Sequence, residues 1–521
     1  MKKRHPKAVQ CSLIALSLIA AACTNDVTSE SSVYTPPTPV SKTLTDADME
    51  FLSQLRGKTP KVGVDEATNL ANDAISVFGQ GTATRGKAKQ AIVSVSAITV
   101  GEHVSTPTRA SETASFPDTV AYAFNYANGG YAIIAADKRI TPSILAYADT
   151  GSSDTDNPGV ALFLQNLKSY ALKSISDFQQ KKDSLTNSVV SKICPTTRTD
   201  TLSGDDYDIN VTQGWGQAKK PDIPAGDDSS REKTTVSEGD YTSIEGVHPL
   251  LPVEWGQYFP FNELVKYNNC LDGTAPTGCV PLAIAQIMTY WQYPNSVDGH
   301  TMHWPILRHY TARPNAYHNV SGKDSIPATL ADISGAECSV FAYDSSNLLE
   351  ILGRHFKVHY ACGDTEFYTG NIPLLINYLD TLGYSLTLSS NYNYLNVKAS
   401  LNNGCPVFIG GENDLDEPFH YGHAWVIDGY QRLQKAIYTR VEVWNGGHKI
   451  FDQTTTTYTY GNYLHHNWGW YGDSNGYYAE GVFDSTESHL SSHLGELPTR
   501  TGGFYDFSHG IRILSNIHPD N

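Results

Sequence analysis

Apolar positions recur at helical spacing in TGCVPLAIAQIMTYW, where Val280, Ala283, Ile284, Ile287, Met288 and Trp291 share one face. This pattern predicts a helix that opens at Gly278 and Cys279. Upstream, Asp46 is positioned to cap a short helix carrying Met49, Glu50, Phe51 and Leu52, and the runs 92–99 and 122–135 read as strands. Asn128-Gly129-Gly130 interrupts the second run and predicts a hairpin turn. A further helix is expected from Pro158 through Val160, Phe163, Leu164, Leu167, Tyr170 and Ala171 to Ile175, with Asn157 as its cap. Later, 373–382 reads as a helix and 406–410 and 424–430 as strands, while 440–444 and 454–460 form a hairpin pair. With no internal repeat, the pattern describes two α+β units. Between them, 205–240 is dense in Gly, Pro, Asp, Ser and Lys and lacks apolar periodicity, which marks an exposed linker open to proteolysis.

The length of 521 residues fits more than one globular unit, and 31 tyrosines with 8 tryptophans supply the cores. A formal net charge of −17 without clustered Lys and Arg argues against a nucleic-acid partner. The head Met1-Lys2-Lys3-Arg4, an apolar run and Ala20-Ala21-Ala22-Cys23 read as a lipoprotein-type signal peptide over 1–22. Lipidated Cys23 would then tether the chain through a Ser/Thr/Pro-rich segment, 23–43, at a bacterial outer membrane, cell surface or periplasm, with release after processing as the other outcome. An ordinary signal cut near Ala22 is the alternative. An exported chain permits disulfides. The five cysteines after residue 240 fit up to two bridges and one free thiol, with no pairing fixed. No CxxC pair occurs, so neither a structural zinc site nor another cofactor is expected.

Cys279 at a helix start lies near unpaired backbone N–H groups and the positive end of the helix, both of which favour the thiolate. His423, in FHYGHAWVIDGY, precedes an apolar strand that can hold its ring toward a cleft, where it could take a proton from the thiol. Asn467, in HHNWGWYGDSNGYY, has an amide oxygen suited to fixing the second ring nitrogen, with Trp468 and Trp470 shielding that bond. Asp428 is the weaker choice as orienter. Gln257, in EWGQYFPFN, could supply a side-chain donor to an oxyanion beside the Cys279 N–H. Taken singly, each has an ordinary structural reading; the order Gln, Cys, His, Asn gives the set its weight.

Four segments, WGQYFPFN, TGCVPLAIAQIMTYWQYP, GHAWVIDGY and NWGWYGDSNGYY, together resemble the streptopain family of papain-like cysteine peptidases, over about residues 240–515. GGFYDFSHGIRI is similar to the family's final strand, and GGYAIIAADKRITPSILAYADTG with NPGVALFLQNLKSY is similar to its inhibitory prosegment. The resemblance implies a zymogen: a propeptide over 44–204, an activation linker over 205–240, and a papain-like catalytic domain over 241–521. It implies Cys279 as nucleophile, His423 as base, Gln257 as oxyanion-hole residue and Asn467 with Trp468-Gly469-Trp470 as the buttress of the histidine. Its partners would be protein or peptide substrates, held extended with an apolar side chain near the scissile bond, and its own propeptide as intramolecular inhibitor. Two departures stand out. Pro281-Leu282 replaces small residues after the nucleophile, and the chain between His423 and Asn467 is long. A thiol-dependent amidase or transglutaminase, or a surface binding lipoprotein, are the rival readings.

Overall fold

The computed structural model describes residues 45–55, 59–79, 91–100, 118–154, 157–193, 201–204, 207–210, 215–218, 231–309 except 268 and 272, 335–412 except 363–364, 366 and 368–370, 422–445, 448–483 and 509–520. The signal peptide, the tether, Cys194 and much of the expected linker lie outside them.

The first half contains helices α1 (Asp46–Gln54) and α2 (Val64–Phe78), strands β1 (Ile92–Thr99), β2 (Thr119–Tyr126), β3 (Tyr131–Ala135) and β4 (Ile144–Ala148), and helix α3 (Pro158–Ile193). The cap of α1 is Thr45 rather than Asp46: Thr45 and Asp48 exchange side-chain and backbone bonds in a capping box. The expected hairpin is β2–β3, with Gly129 and Gly130 both at positive φ in its turn. Asn157 caps α3 as expected, its Oδ1 accepting from the Gly159 N–H at 2.9 Å. That helix runs 18 residues past Ile175, through a mostly polar sequence in which Phe178 and Val189 are buried.

Short strands β5 (Thr201–Gly204), β6 (Tyr207–Asn210) and β7 (Trp215–Ala218) lead to β8 (Arg231–Val247). Residues 231–240, expected as linker, are thus strand, paired along the later β13. The second half continues with α4 (Cys279–Trp291), β9 (Ser296–Val297), β10 (His300–Thr301), α5 (Trp304–His309), α6 (Gly335–His355), α7 (Ile372–Thr381), β11 (Tyr384–Ser389), α8 (Tyr394–Asn402), β12 (Val407–Glu412), β13 (Gly422–Asn445), β14 (His448–Asn467), β15 (Gly476–Ala479) and β16 (His509–Pro519). Helix α4 is buried on every side from Val280 to Thr289, a consequence of its nearly unbroken apolar sequence. The hairpin anticipated at 440–460 is the outer part of the β13–β14 pair, which runs from Val426 opposite Asn467 to Asn445 opposite His448.

One sheet of 14 strands joins the two halves, in the order β1-β2-β3-β4-β15-β14-β13-β8-β5-β6-β7, with β12, β16 and β11 branching from β13. The junction is the antiparallel pair β4–β15, Gly476 opposite Ala148 and Tyr478 opposite Ala146. Alternation along β13 divides the core. Ala424 and Val426 face α4, whereas Trp425 and Ile427 join a cluster containing Phe163, Leu167 and the β2–β4 side chains. Among the described residues no helix is long and apolar enough to cross a membrane.

Candidate active site

Gly278, at φ 85°, turns the chain into α4, and Cys279 is its first residue. A side chain at Gly278 would press on Thr365 Cγ2 at 3.1 Å, in a backbone conformation that disfavours any L residue. The Thr365 hydroxyl donates to the Pro276 carbonyl at 2.9 Å, and a Cys270–Cys362 disulfide ties the same two loops together. Cys279 is a half-buried free thiol and Cys405 a buried one, so among the described residues one bridge is formed where up to two had been allowed. The side chain of Cys338 lies outside the described residues.

The expected pull toward thiolate is present but outweighed. Withdrawal from water pushes the Cys279 thiol up, while backbone N–H groups of Ala424, Cys279 and Val280 draw it back down. Cys279 packs against the cluster that contains Ala424, and Ala424 directly follows His423 in β13.

His423 is 6% exposed and stacks on Trp425, with centroids 5.8 Å apart. Burial lowers its pKa to about 4, against the opposing effect of its bond to the Trp468 backbone. That bond joins Nε2 to the Trp468 carbonyl at 3.0 Å. The acceptor expected from the Asn467 amide is therefore supplied by the next residue's backbone. Asn467 instead donates Nδ2–H to the Val253 carbonyl at 3.0 Å and accepts from the Gly469 N–H at 3.2 Å, bracing the loop that carries the Trp468 carbonyl. Asp428 is engaged elsewhere, with the His465 Nδ1 at 2.6 Å and the Leu251 N–H at 3.1 Å.

Trp468 is fully buried. Its indole N–H reaches the Ser474 carbonyl at 3.0 Å and the Tyr478 hydroxyl at 3.2 Å, and its backbone N–H donates to Asn475 Oδ1 at 3.0 Å. Trp470 is half-buried and meets the Tyr258 ring edge-on at 6.2 Å. Gln257 is half-buried, and its carbonyl accepts from the Thr277 N–H at 3.0 Å, two residues before the thiol. The Gln257 loop is also pinned to α4, where buried Gln286 Oε1 accepts from the Trp255 N–H at 3.1 Å. Gln286 was open to discovery in the sequence as the lone amide of the run AIAQIM. Asn475 and Thr365 carried no comparable signal, since both stand among other polar loop residues.

Cys279 at the start of α4, His423 held at Nε2 on β13 and Gln257 on a loop tied to Thr277 and α4 supply a thiol, an imidazole and an amide, the group types that thiol-dependent acyl transfer draws on. Comparison with known proteins points to cysteine peptidases. Residues 255–478 match the Peptidase C10 family, and residues 59–171 match the Spi protease inhibitor. Streptopain of Streptococcus pyogenes is 23% identical over 369 residues, covering 68% of this chain and 73% of its own, and the serotype M1 form matches at 23% over 370 residues. Among solved structures, a Prevotella intermedia prointerpain A fragment aligns at 19% identity and TM-score 0.40, covering 78% of this chain and 98% of that one. Active interpain A aligns at 20% and 0.31, covering 52% and 95%. The protein is a cysteine-type peptidase made with an inhibitory propeptide-like domain. Over residues 255–478 it is similar to the Peptidase C10, or streptopain, family.

Proposed function

We propose that Cys279 is the nucleophile of this peptidase and His423 its base and acid, working through Nδ1, since Nε2 is engaged by the Trp468 carbonyl. The observation that carries the assignment is the packing of Cys279, the first residue of α4, against the cluster that contains Ala424, the residue after His423 in β13. Nδ1 takes the thiol proton as sulfur attacks the scissile carbonyl carbon. The Cys279 N–H and the Gln257 amide stabilise the oxyanion. The tetrahedral adduct collapses to a thioester as Nδ1–H protonates the departing amine. Water then adds to the thioester, giving its proton to Nδ1, and the thiolate leaves with the acid product and is reprotonated. Asn467, Trp468 and Trp470 support the histidine, and Gly278 supplies the turn at the nucleophile.

In the full chain, desolvation raises the thiol and lowers the imidazole, which favours the neutral pair and holds the site in its less reactive form. The domain division 44–204, 205–240 and 241–521 is retained as a functional reading, with the activating cut in the stretch before or within β8. Export through the 1–22 signal, with lipidated Cys23 as tether, fits the basic head and the Ala-Ala-Ala-Cys motif. The test is incubation of purified precursor and a Cys279→Ala control with an unfolded protein under reducing conditions, reading new termini by mass spectrometry. Cleavage by the wild-type chain alone is expected. Cleavage by the Cys279→Ala chain removes the nucleophile assignment, and ammonia release without new termini identifies an amidase.

A further inference from the structure

The mechanism leaves unexplained how the loop carrying Gln257 keeps its position, since it packs between α4 and the 468–472 loop rather than in a regular element. One side chain bridges it on both sides of the glutamine. The Tyr471 hydroxyl accepts from the Tyr258 N–H at 3.0 Å and donates to the Phe259 carbonyl at 3.2 Å, while the Tyr471 backbone N–H donates to the Trp255 carbonyl at 3.0 Å. Its ring covers Gly256 so closely that a Cβ there would lie 2.2 Å from a ring carbon. Residues 255, 256, 258 and 259 are thus all held by Tyr471, and Gln257 is the residue they enclose. Tyr471 is 8% exposed and adopts φ 57°, a left-handed backbone costly for a bulky residue. Trp468, whose carbonyl holds His423, lies three residues earlier in the same loop.

We propose that Tyr471 is the positioning residue for the oxyanion-hole glutamine, locking the Gln257 loop to the loop that orients His423. It acts through Gln257 rather than on the substrate. Its hydroxyl sets where the Gln257 amide meets the developing charge, so its loss acts on the transition state and spares ground-state binding. The proposal rests on the assignment of Gln257 given above.

The experiment compares Tyr471→Phe, Gln257→Ala and the double variant, each made in the full chain and assayed after propeptide removal. Active enzyme is counted by titration with a cysteine-directed electrophile. Tyr471→Phe is expected to lower kcat roughly 10- to 100-fold at unchanged KM, and to weaken by a similar factor a peptide aldehyde whose thiohemiacetal oxygen occupies the oxyanion position. The pH profile of thiol alkylation should not move, and the double variant should be no slower than Gln257→Ala. Normal kcat and aldehyde affinity in Tyr471→Phe, beside a slow Gln257→Ala, overturns the proposal alone. Full activity in Gln257→Ala overturns the oxyanion assignment and the proposal with it. A fall confined to the titratable fraction assigns the hydroxyl to folding and likewise overturns it.

Discussion

At His423 the environment decides the chemistry more than the residue type does. Burial lowers the ring's pKa to about 4 from an ordinary value near 6.5, and buried His466, whose Nδ1 accepts from the Trp425 indole N–H at 2.7 Å, is lowered well below its ordinary value. Below pH 6.5 the unfolded chain binds protons that the folded chain refuses until near pH 4. The stability the His423 ring contributes is therefore complete above about 6.5 and is lost as pH falls toward 4, and His466 contributes in the same direction. For His423 the span corresponds to roughly 3 kcal/mol. Glu50, raised by burial, acts in the opposite direction, so the informative quantity is a difference between variants. Thermal unfolding of an intact Cys279→Ala precursor should decline from pH 7 to 4, and adding His423→Asn should flatten part of that decline. An unchanged slope would mean that the folded ring titrates normally.

At the scale of elements, the propeptide-like half presses on the support of His423, the proposed base. Gly159, in the first turn of α3, lies against the Trp468 indole, where an added Cβ would come within 2.1 Å of a ring carbon. Asn157 Nδ2 donates to the Asp473 carbonyl at 2.8 Å, and the Thr150 hydroxyl donates to the Gly472 carbonyl at 2.6 Å. With β4 added to β15, these contacts grip the 472–478 segment from two sides. A larger residue at 159 would ordinarily stabilise a helix by up to about 1 kcal/mol if it were Ala; here the indole forbids it. Gly159→Val in the full chain is expected to weaken docking by about 1–3 kcal/mol, seen as faster digestion by a limiting external protease than in the parent. Equal half-lives would show that Trp468 yields without cost.

Across the whole molecule, what could be read from the sequence was what one segment specifies by itself. Helix α4, the β2–β3 turn and the Asn157 cap are local, and the four segments proposed to form the active site stand out because each carries its own residue types. Strand β8 escaped notice because REKTTVSEGDYTSIEGV pairs through its backbone with β13, a partner that its charges and glycines do not advertise. The Trp468 carbonyl escaped for the same reason: a backbone acceptor leaves no mark in the residue types, whereas Asn467 does. The β4–β15 junction is again a backbone pairing, and it merges two cores that composition alone would keep apart. Phe163 of α3 meets Tyr478 edge-on at 4.8 Å, the Tyr131 and Tyr478 hydroxyls are bonded at 2.7 Å, and Phe78 packs on Tyr463 and Tyr477 at 4.9 and 5.1 Å. The Tyr463 hydroxyl, fully buried, donates to the Ile144 carbonyl across the same boundary at 3.0 Å. Separating the halves would uncover these rings and leave their hydroxyls to water, so the halves should unfold together. Calorimetry of the Cys279→Ala precursor is expected to give one transition, lying above that of the same chain after its first half has been cut away. Two resolved transitions in the intact precursor would mean that the continuous sheet is a contact between independently stable bodies, and that release of the propeptide takes little from the stability of the enzyme.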